Sequence, residues 1–381
     1  MQIIGREVIM RDNKNILLIL LVLSFLLSLL TIFVVAEGGV PSVSAKSATL
    51  YEPTSGRFIY EKNVDCRLPM ASTTKIMTAL IAIERCSLDE VVTVPKEATG
   101  VEGSSIYLKE GDTLTVKDLI YSVLLQSAND AATALALLIS GDVQSFAALM
   151  NDRADEIGLT DTHFENPHGL DSEEHFTTAR DLAILASIAL ENDFFRTVTS
   201  TYKYTFPLGD ATRTVVNHNK LLKKRDGVVG VKTGYTDRSG RCLVSAIESR
   251  GMRFIAVTLD APDDWNDHLK LLKLGENSFE PIDLFSLTAR EFNVTVKNGE
   301  TDRVIAKLRD NKVLAHEIGS EPYTVSVSLP DFIEAPIKAD DVLGELSVLY
   351  GDKTIYTTPI VADRSVAKKQ TKLFDFLKNL F

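Results

Sequence analysis

Pro69-Met70-Ala71-Ser72-Thr73-Thr74-Lys75-Ile76-Met77-Thr78 is a helix start with chemistry on it. The apolar residues Ile76, Met77, Ala79, Leu80 and Ile83 supply a buried stripe behind it. Ser72 and Lys75 stand three apart, so a helix sets them on one face. A serine hydroxyl becomes a competent nucleophile only when a nearby base takes its proton. A lysine one turn on can be that base if burial or a second cation keeps it neutral. The unpaired N–H groups of a helix start also suit a developing oxyanion. Ser-x-x-Lys alone is more often a helix start followed by a surface lysine, so the rest of the chain has to decide.

The chain has 381 residues, 45% of them hydrophobic and 24% charged, enough for a large core and two domains. A net charge of −11 argues against a nucleic-acid partner. Cys66, Cys86 and Cys242 lack CxxC spacing and read as free thiols, with a Cys66–Cys86 bridge left open. No metal or nucleotide motif is found, so no cofactor is expected. Gly-x-Ser-x-Gly and His-Glu-x-x-His are both missing.

Arg6, Arg11 and Lys14 precede an apolar run over residues 16–36. Basic, then apolar, then small residues make an export signal. Val34-Val35-Ala36 and Val43-Ser44-Ala45 are its candidate cleavage sites. The run is also long enough for a retained N-terminal anchor. Cleavage is the expectation, and either reading puts the mature chain outside the cytoplasmic membrane.

Strands are expected near residues 48–52 and 57–61, then helices over 72–85, 115–125, 131–139, 143–157 and 178–190. Strands return at 227–236, 242–247 and 254–259, and a helix beginning near His268 closes the domain. Strands at both ends of a helical middle predict one sheet flanked by helices, an α/β (α+β) domain over residues 46–278. Residues 279–362 alternate as short strands with turns at Asn298-Gly299 and Gly351-Asp352, a small β-sandwich. In 366–381, Leu373, Phe374, Phe376, Leu377, Leu380 and Phe381 share one helical face. Lysines 368, 369, 372 and 378 against Asp375 give that tail +3, the pattern of a helix lying in a membrane interface.

Three short motifs stand in order: Ser72-x-x-Lys75, Ser127-x-Asn129 and Lys232-Thr233-Gly234. Class A β-lactamases and penicillin-binding proteins carry such a set. Ala128 stands where the lactamase motif has Asp. With Gly103-Ser104-Ser105, residues 166–171 and 175–183, the chain resembles the serine-type D-alanyl-D-alanine carboxypeptidases. These are the low-molecular-weight penicillin-binding proteins of peptidase family S11. The trailing β domain and amphipathic tail match their architecture.

That resemblance implies a penicillin-binding, transpeptidase-like domain and specific roles. Ser72 attacks the carbonyl between the two terminal D-alanines of a peptidoglycan stem, and Lys75 accepts its proton. Lys232 keeps Lys75 deprotonated by like-charge repulsion. Ser127 protonates the departing D-alanine, and Asn129 orients Lys75 and the substrate amide. The N–H groups of Ser72 and Tyr235, beside Gly234, hold the oxyanion. Lys232, Thr233 and Arg253 bind the terminal carboxylate. β-Lactam antibiotics acylate the same serine. A β-lactamase is the nearest rival, but no Glu-x-x-Leu-Asn pattern supplies its deacylating carboxylate. An inactive peptidoglycan-binding scaffold is the rival from another class. The six histidines are scattered, and His168, His175 and His218 read as structural hydrogen-bonders.

Overall fold

The computed structural model describes residues 40–369. The expected signal segment and residues 370–381 of the expected tail helix lie outside them. Strands β1 (Ser47–Glu52), β2 (Arg57–Lys62), β3 (Val228–Thr236), β4 (Gly240–Ser249) and β5 (Met252–Leu259) form one antiparallel sheet. Its order is β2-β1-β5-β4-β3, so the two ends of the domain's sequence meet in its middle and β3 is an edge strand.

Side-chain alternation divides the sheet's two faces. Ile255 and Val257 join the larger core, formed with helices α1 (Lys75–Arg85), α2 (Val116–Leu125), α3 (Asn129–Ser140), α4 (Val143–Glu156), α5 (Ala179–Glu191) and α6 (Asp193–Ser200). Phe254 and Ala256 face the opposite way, onto Leu271 and Leu272 of α7 (Asp264–Ser278). Expected helix starts are made by side chains that occupy orphan N–H groups. Thr115 Oγ1 accepts from Asp118 N at 3.1 Å while Asp118 Oδ2 accepts from Thr115 N at 3.1 Å, a closed capping box. Thr178 Oγ1 accepts from Asp181 N in the same way. Helix α3 is apolar and small on nearly every side, which is why it sits inside the helical layer. Among the described residues no single helix is long and apolar enough to cross a membrane.

The β domain holds a six-stranded sheet and its own core around Val304, Ala306, Leu346, Val348 and Ile360. Strand Thr324–Ser328 lies at the sheet edge and is mostly exposed. Arg57 ties the two parts together: its guanidinium bonds Glu317 and lies 5.4 Å from the ring centres of Phe279 and Tyr350. The three cysteines are free.

One boundary needs correction. A helix from residue 366 is not what the described residues form. Val366 O accepts from Ile337 N at 2.9 Å and Lys369 N donates to Asn298 O at 2.8 Å, so 366–369 run as extended chain along the β domain.

Candidate active site

Ser72 does not start an α-helix directly. It lies in a 3₁₀ turn, Ala71–Thr74, that feeds α1 at Lys75. The tighter turn still leaves the two side chains together: Lys75 Nζ is 3.0 Å from Ser72 Oγ. Lys75 is fully buried and also donates to Asn129 Oδ1 at 2.7 Å and to the His168 carbonyl at 2.5 Å. Among the described residues no carboxylate bonds it. Burial, and next the charge of Lys232, hold its ammonium well below the ordinary lysine range. Neutral Lys75 can therefore take the Ser72 proton.

The second serine has a lysine of its own. Lys232, on β3 and 1% exposed, donates to Ser127 Oγ at 3.1 Å and to the Thr233 carbonyl at 2.8 Å. Desolvation pushes its ammonium down to about 7. Ser127 sits in the break between α2 and α3 at φ +62°, and Ala71, before the other serine, has φ +47°. Both are unfavourable for residues with a Cβ, and both flank the reacting groups.

Gly234 brings β3 close to Ser72. A Cβ there would lie 3.0 Å from Ser72 N and 3.1 Å from the Ala71 Cβ. Tyr235 follows, 62% exposed at the mouth of the cleft. The cleft has a volume of about 310 Å³ and is lined by Ser72, Ser104, Ser127, Thr233, Gly234 and Tyr235, together with His218, Lys220, Arg241, Asp264 and Trp265.

Two loops hold this arrangement. Asn129 N donates to Ser104 O at 2.7 Å and its Nδ2 to Glu102 O. Buried Asp130 fastens the same loop through Ser105 Oγ, Ile106 N and Leu108 N. The second loop folds over Asn166, whose Oδ1 accepts from His168 N and Gly169 N. His175 Nδ1 accepts from Glu165 N at 3.0 Å, which leaves the proton on Nε2, 2.7 Å from Thr74 Oγ1. Thr74 in turn donates to Ala71 O. His175 thus braces the nucleophile's turn and stays neutral, its pKa lowered to about 4 chiefly by burial.

Arg253 is not part of this cleft. It lies at the far end of β5, where its guanidinium binds Glu248 at 2.8 Å and Glu191 at 2.6 Å beside a separate cavity lined by Pro53, Lys312 and Tyr356. Two cations do line the cleft, Lys220 and Arg241, and Arg241 pairs with Tyr235 across the β3–β4 hairpin. Its Nε is 3.1 Å from Asp264 Oδ1. A signal for it existed: the turn Asp237-Arg238-Ser239-Gly240 reverses the chain and returns position 241 beside 235. Among the described residues no His, Cys, Asp and Glu grouping could hold a metal ion.

Residues 35–263 match the family model for D-alanyl-D-alanine carboxypeptidase, and residues 279–368 match the C-terminal domain of penicillin-binding protein 5. The chain is 33% identical to the D-alanyl-D-alanine carboxypeptidase DacF of Bacillus subtilis, covering 88% of each chain. It is also 33% identical to DacC of Escherichia coli, over 86% of this chain and 85% of that one. The solved penicillin-binding protein 5 of Haemophilus influenzae is 27% identical with a TM-score of 0.65, over 87% of this chain and 99% of that chain. PBP3 of Streptococcus pneumoniae, a peptidoglycan synthesis regulatory factor, is 26% identical with a TM-score of 0.73, over 86% of this chain and 100% of that chain. On its matched length and on those relatives, the chain belongs to the serine-type D-alanyl-D-alanine carboxypeptidase family.

Proposed function

We propose that the protein removes the terminal D-alanine from peptidoglycan stem peptides through an acyl-enzyme on Ser72. The observation that carries this reading is Lys75: fully buried, bonded by no carboxylate among the described residues, and 3.0 Å from Ser72 Oγ. Lys75 takes the hydroxyl proton as Ser72 attacks the penultimate D-alanyl carbonyl. The N–H groups of Ser72 and Tyr235 hold the oxyanion where β3 passes the turn. Ser127, fed by Lys232, hands a proton to the departing amine, and Asn129 keeps Lys75 in register. Thr233, Lys232 and Arg241 receive the substrate's terminal carboxylate. Water then releases the shortened stem.

β-Lactams enter the same reaction and stall at the acyl-enzyme. A lactamase needs a carboxylate to activate water. Glu165 is committed to Ser172 and Asp171 to Thr236 Oγ1, which supports a long-lived penicilloyl ester. The catalytic unit is residues 46–278 and the β module 279–362. The N-terminal apolar segment exports the chain to the outer side of the cytoplasmic membrane, where peptidoglycan is. The apolar and basic tail beyond residue 369 holds it at that surface.

The test is release of D-alanine from a diacyl-Lys-D-Ala-D-Ala peptide by the full chain in detergent. One D-alanine per peptide is expected, with none from Ser72→Ala. Unchanged release by that variant would discard the nucleophile.

A further inference from the structure

Val43-Ser44-Ala45 is one of the two candidate processing sites of the export signal, and the structure builds it into the fold. Val43 is nearly buried and Ala45 fully so, both in the core that Phe254 and Ala256 share with Leu271 and Leu272 of α7. The stretch leads straight into β1. Val43 O accepts from Lys62 Nζ at 2.9 Å, at the end of β2, and Lys46 N donates to Asp260 O at 2.9 Å, just past β5.

A buried carboxylate holds it there. Asp267, on α7, is 1% exposed. Its Oδ2 accepts from Ser44 Oγ at 2.7 Å, Ser44 N at 2.8 Å and Ala45 N at 3.2 Å. Ser44 Oγ in turn accepts from Asp263 N at 3.0 Å, at the start of the same helix. A carboxylate this far from water is stable only while donors surround it. A chain cut after Ala45 loses these three donors and two core side chains at once. Its new α-amine would be Lys46 N, which is engaged with the Asp260 carbonyl and not with Asp267. Val34-Val35-Ala36 offers a peptidase the same Val-x-Ala pattern at the end of the apolar run, followed by Glu37-Gly38-Gly39. A cut there leaves residues 43–45 in place.

We propose that the export signal is removed after Ala36, so that the mature chain begins at Glu37 and keeps residues 43–45 as the clasp between β1 and α7. The agent is a membrane peptidase of the host that requires small residues beside its cut. One water adds across the Ala36–Glu37 amide: its oxygen ends in the Ala36 carboxylate, and Glu37 keeps the nitrogen as a new α-amine. The proposal rests on the export reading and is independent of the chemistry at Ser72.

The experiment exports the full chain from a bacterial host and reads its N-terminus by intact mass and terminal sequencing. Glu37 is expected. Ala36→Lys puts a long charged side chain where the peptidase needs a small one and should leave the precursor uncut. A second arm tests the clasp itself. A chain begun at Lys46, joined directly to another protein's cleavable leader, should melt roughly 5–10 °C below one begun at Glu37. Asp267→Asn should also lower Tm, without moving the N-terminus. A mature chain beginning at Lys46, or equal Tm for the two starting points, overturns the proposal and leaves export standing. An exported chain that still carries its apolar segment overturns the cut alone. A chain retained in the cytoplasm overturns the export reading with it.

Discussion

Lys232 Nζ donates to Ser127 Oγ at 3.1 Å, while Lys75 Nζ donates to Ser72 Oγ at 3.0 Å. Each serine has its own buried amine, and the two amines interact through charge. Burial depresses Lys75 most and Lys232 adds to it. Neutral Lys75 is the active form, so penicillin acylation must fall as pH drops through its lowered pKa. Lys232→Met removes the repelling charge, which raises the pKa of Lys75 and moves that limb to higher pH. Acylation rate against pH reads this directly. A limb that stays in place while the overall rate drops would mean Lys232 acts on Ser127 alone.

Arg241 and Arg253 make a paired prediction. Arg241 lines the cleft beside Tyr235, whereas Arg253 is clamped by Glu191 and Glu248 at the other end of the sheet. Arg241→Ala should lower kcat/KM on a D-Ala-D-Ala peptide roughly 10- to 100-fold, the loss of one charged hydrogen-bonding partner. A peptide ending in a carboxamide should be a poor substrate for wild type and variant alike. Arg253→Ala should leave turnover within about twofold. Its ion pairs are partly exposed, so its cost in stability is about 1 kcal/mol.

These two arginines also mark what could be read without the fold. Ser72 and Lys75 were legible because helical periodicity is local, and a 3₁₀ turn alters the path without separating positions three apart. Lys232, Thr233 and Gly234 were legible as an alternating strand. Arg253 came from the family resemblance, but β4 and β5 carry it along the sheet to the end away from the cleft. Arg241 needed only the hairpin's arithmetic. His218, Lys220 and Trp265 carried no local signal: a loop before β3 and the start of α7 meet at the cleft only when the sheet closes. The tail's extended beginning was hidden for the same reason, since Val366 finds its partner in Ile337.

Gly169 tests how tightly the second loop is locked to the nucleophile. It has φ +86°, and a Cβ there would lie 1.9 Å from Ala71 O and 2.8 Å from Thr74 Oγ1. Gly169→Ala must push the loop away and carry with it the His168 carbonyl that holds Lys75. Penicillin acylation should fall by about two orders of magnitude, with a clear drop in Tm. Gly158→Ala is the control: its φ is +77° but nothing lies within 4 Å, so only the backbone cost of about 1 kcal/mol is expected and acylation should be normal. Equal behaviour of the two variants would show that the Ala71 contact is not what matters at 169.

Acid should unfold the protein through its buried imidazoles. His268 is fully buried between Ser245 Oγ at 2.6 Å and Thr258 Oγ1 at 2.9 Å, on the face of the sheet away from the active site. Burial lowers its pKa to about 3, and lowers His168 to about 3 and His175 to about 4. In the unfolded chain all three titrate near 6.5, so between there and about 3 the unfolded state binds more protons. Stability must therefore fall as pH drops below about 6.5, with His268 alone contributing on the order of a few kcal/mol. Denaturant midpoints measured from pH 7 to 4 should follow that slope. His268→Gln keeps hydrogen-bonding capacity and cannot be protonated, so it should start less stable and lose less on acidification. A slope identical to wild type would place the acid sensitivity elsewhere.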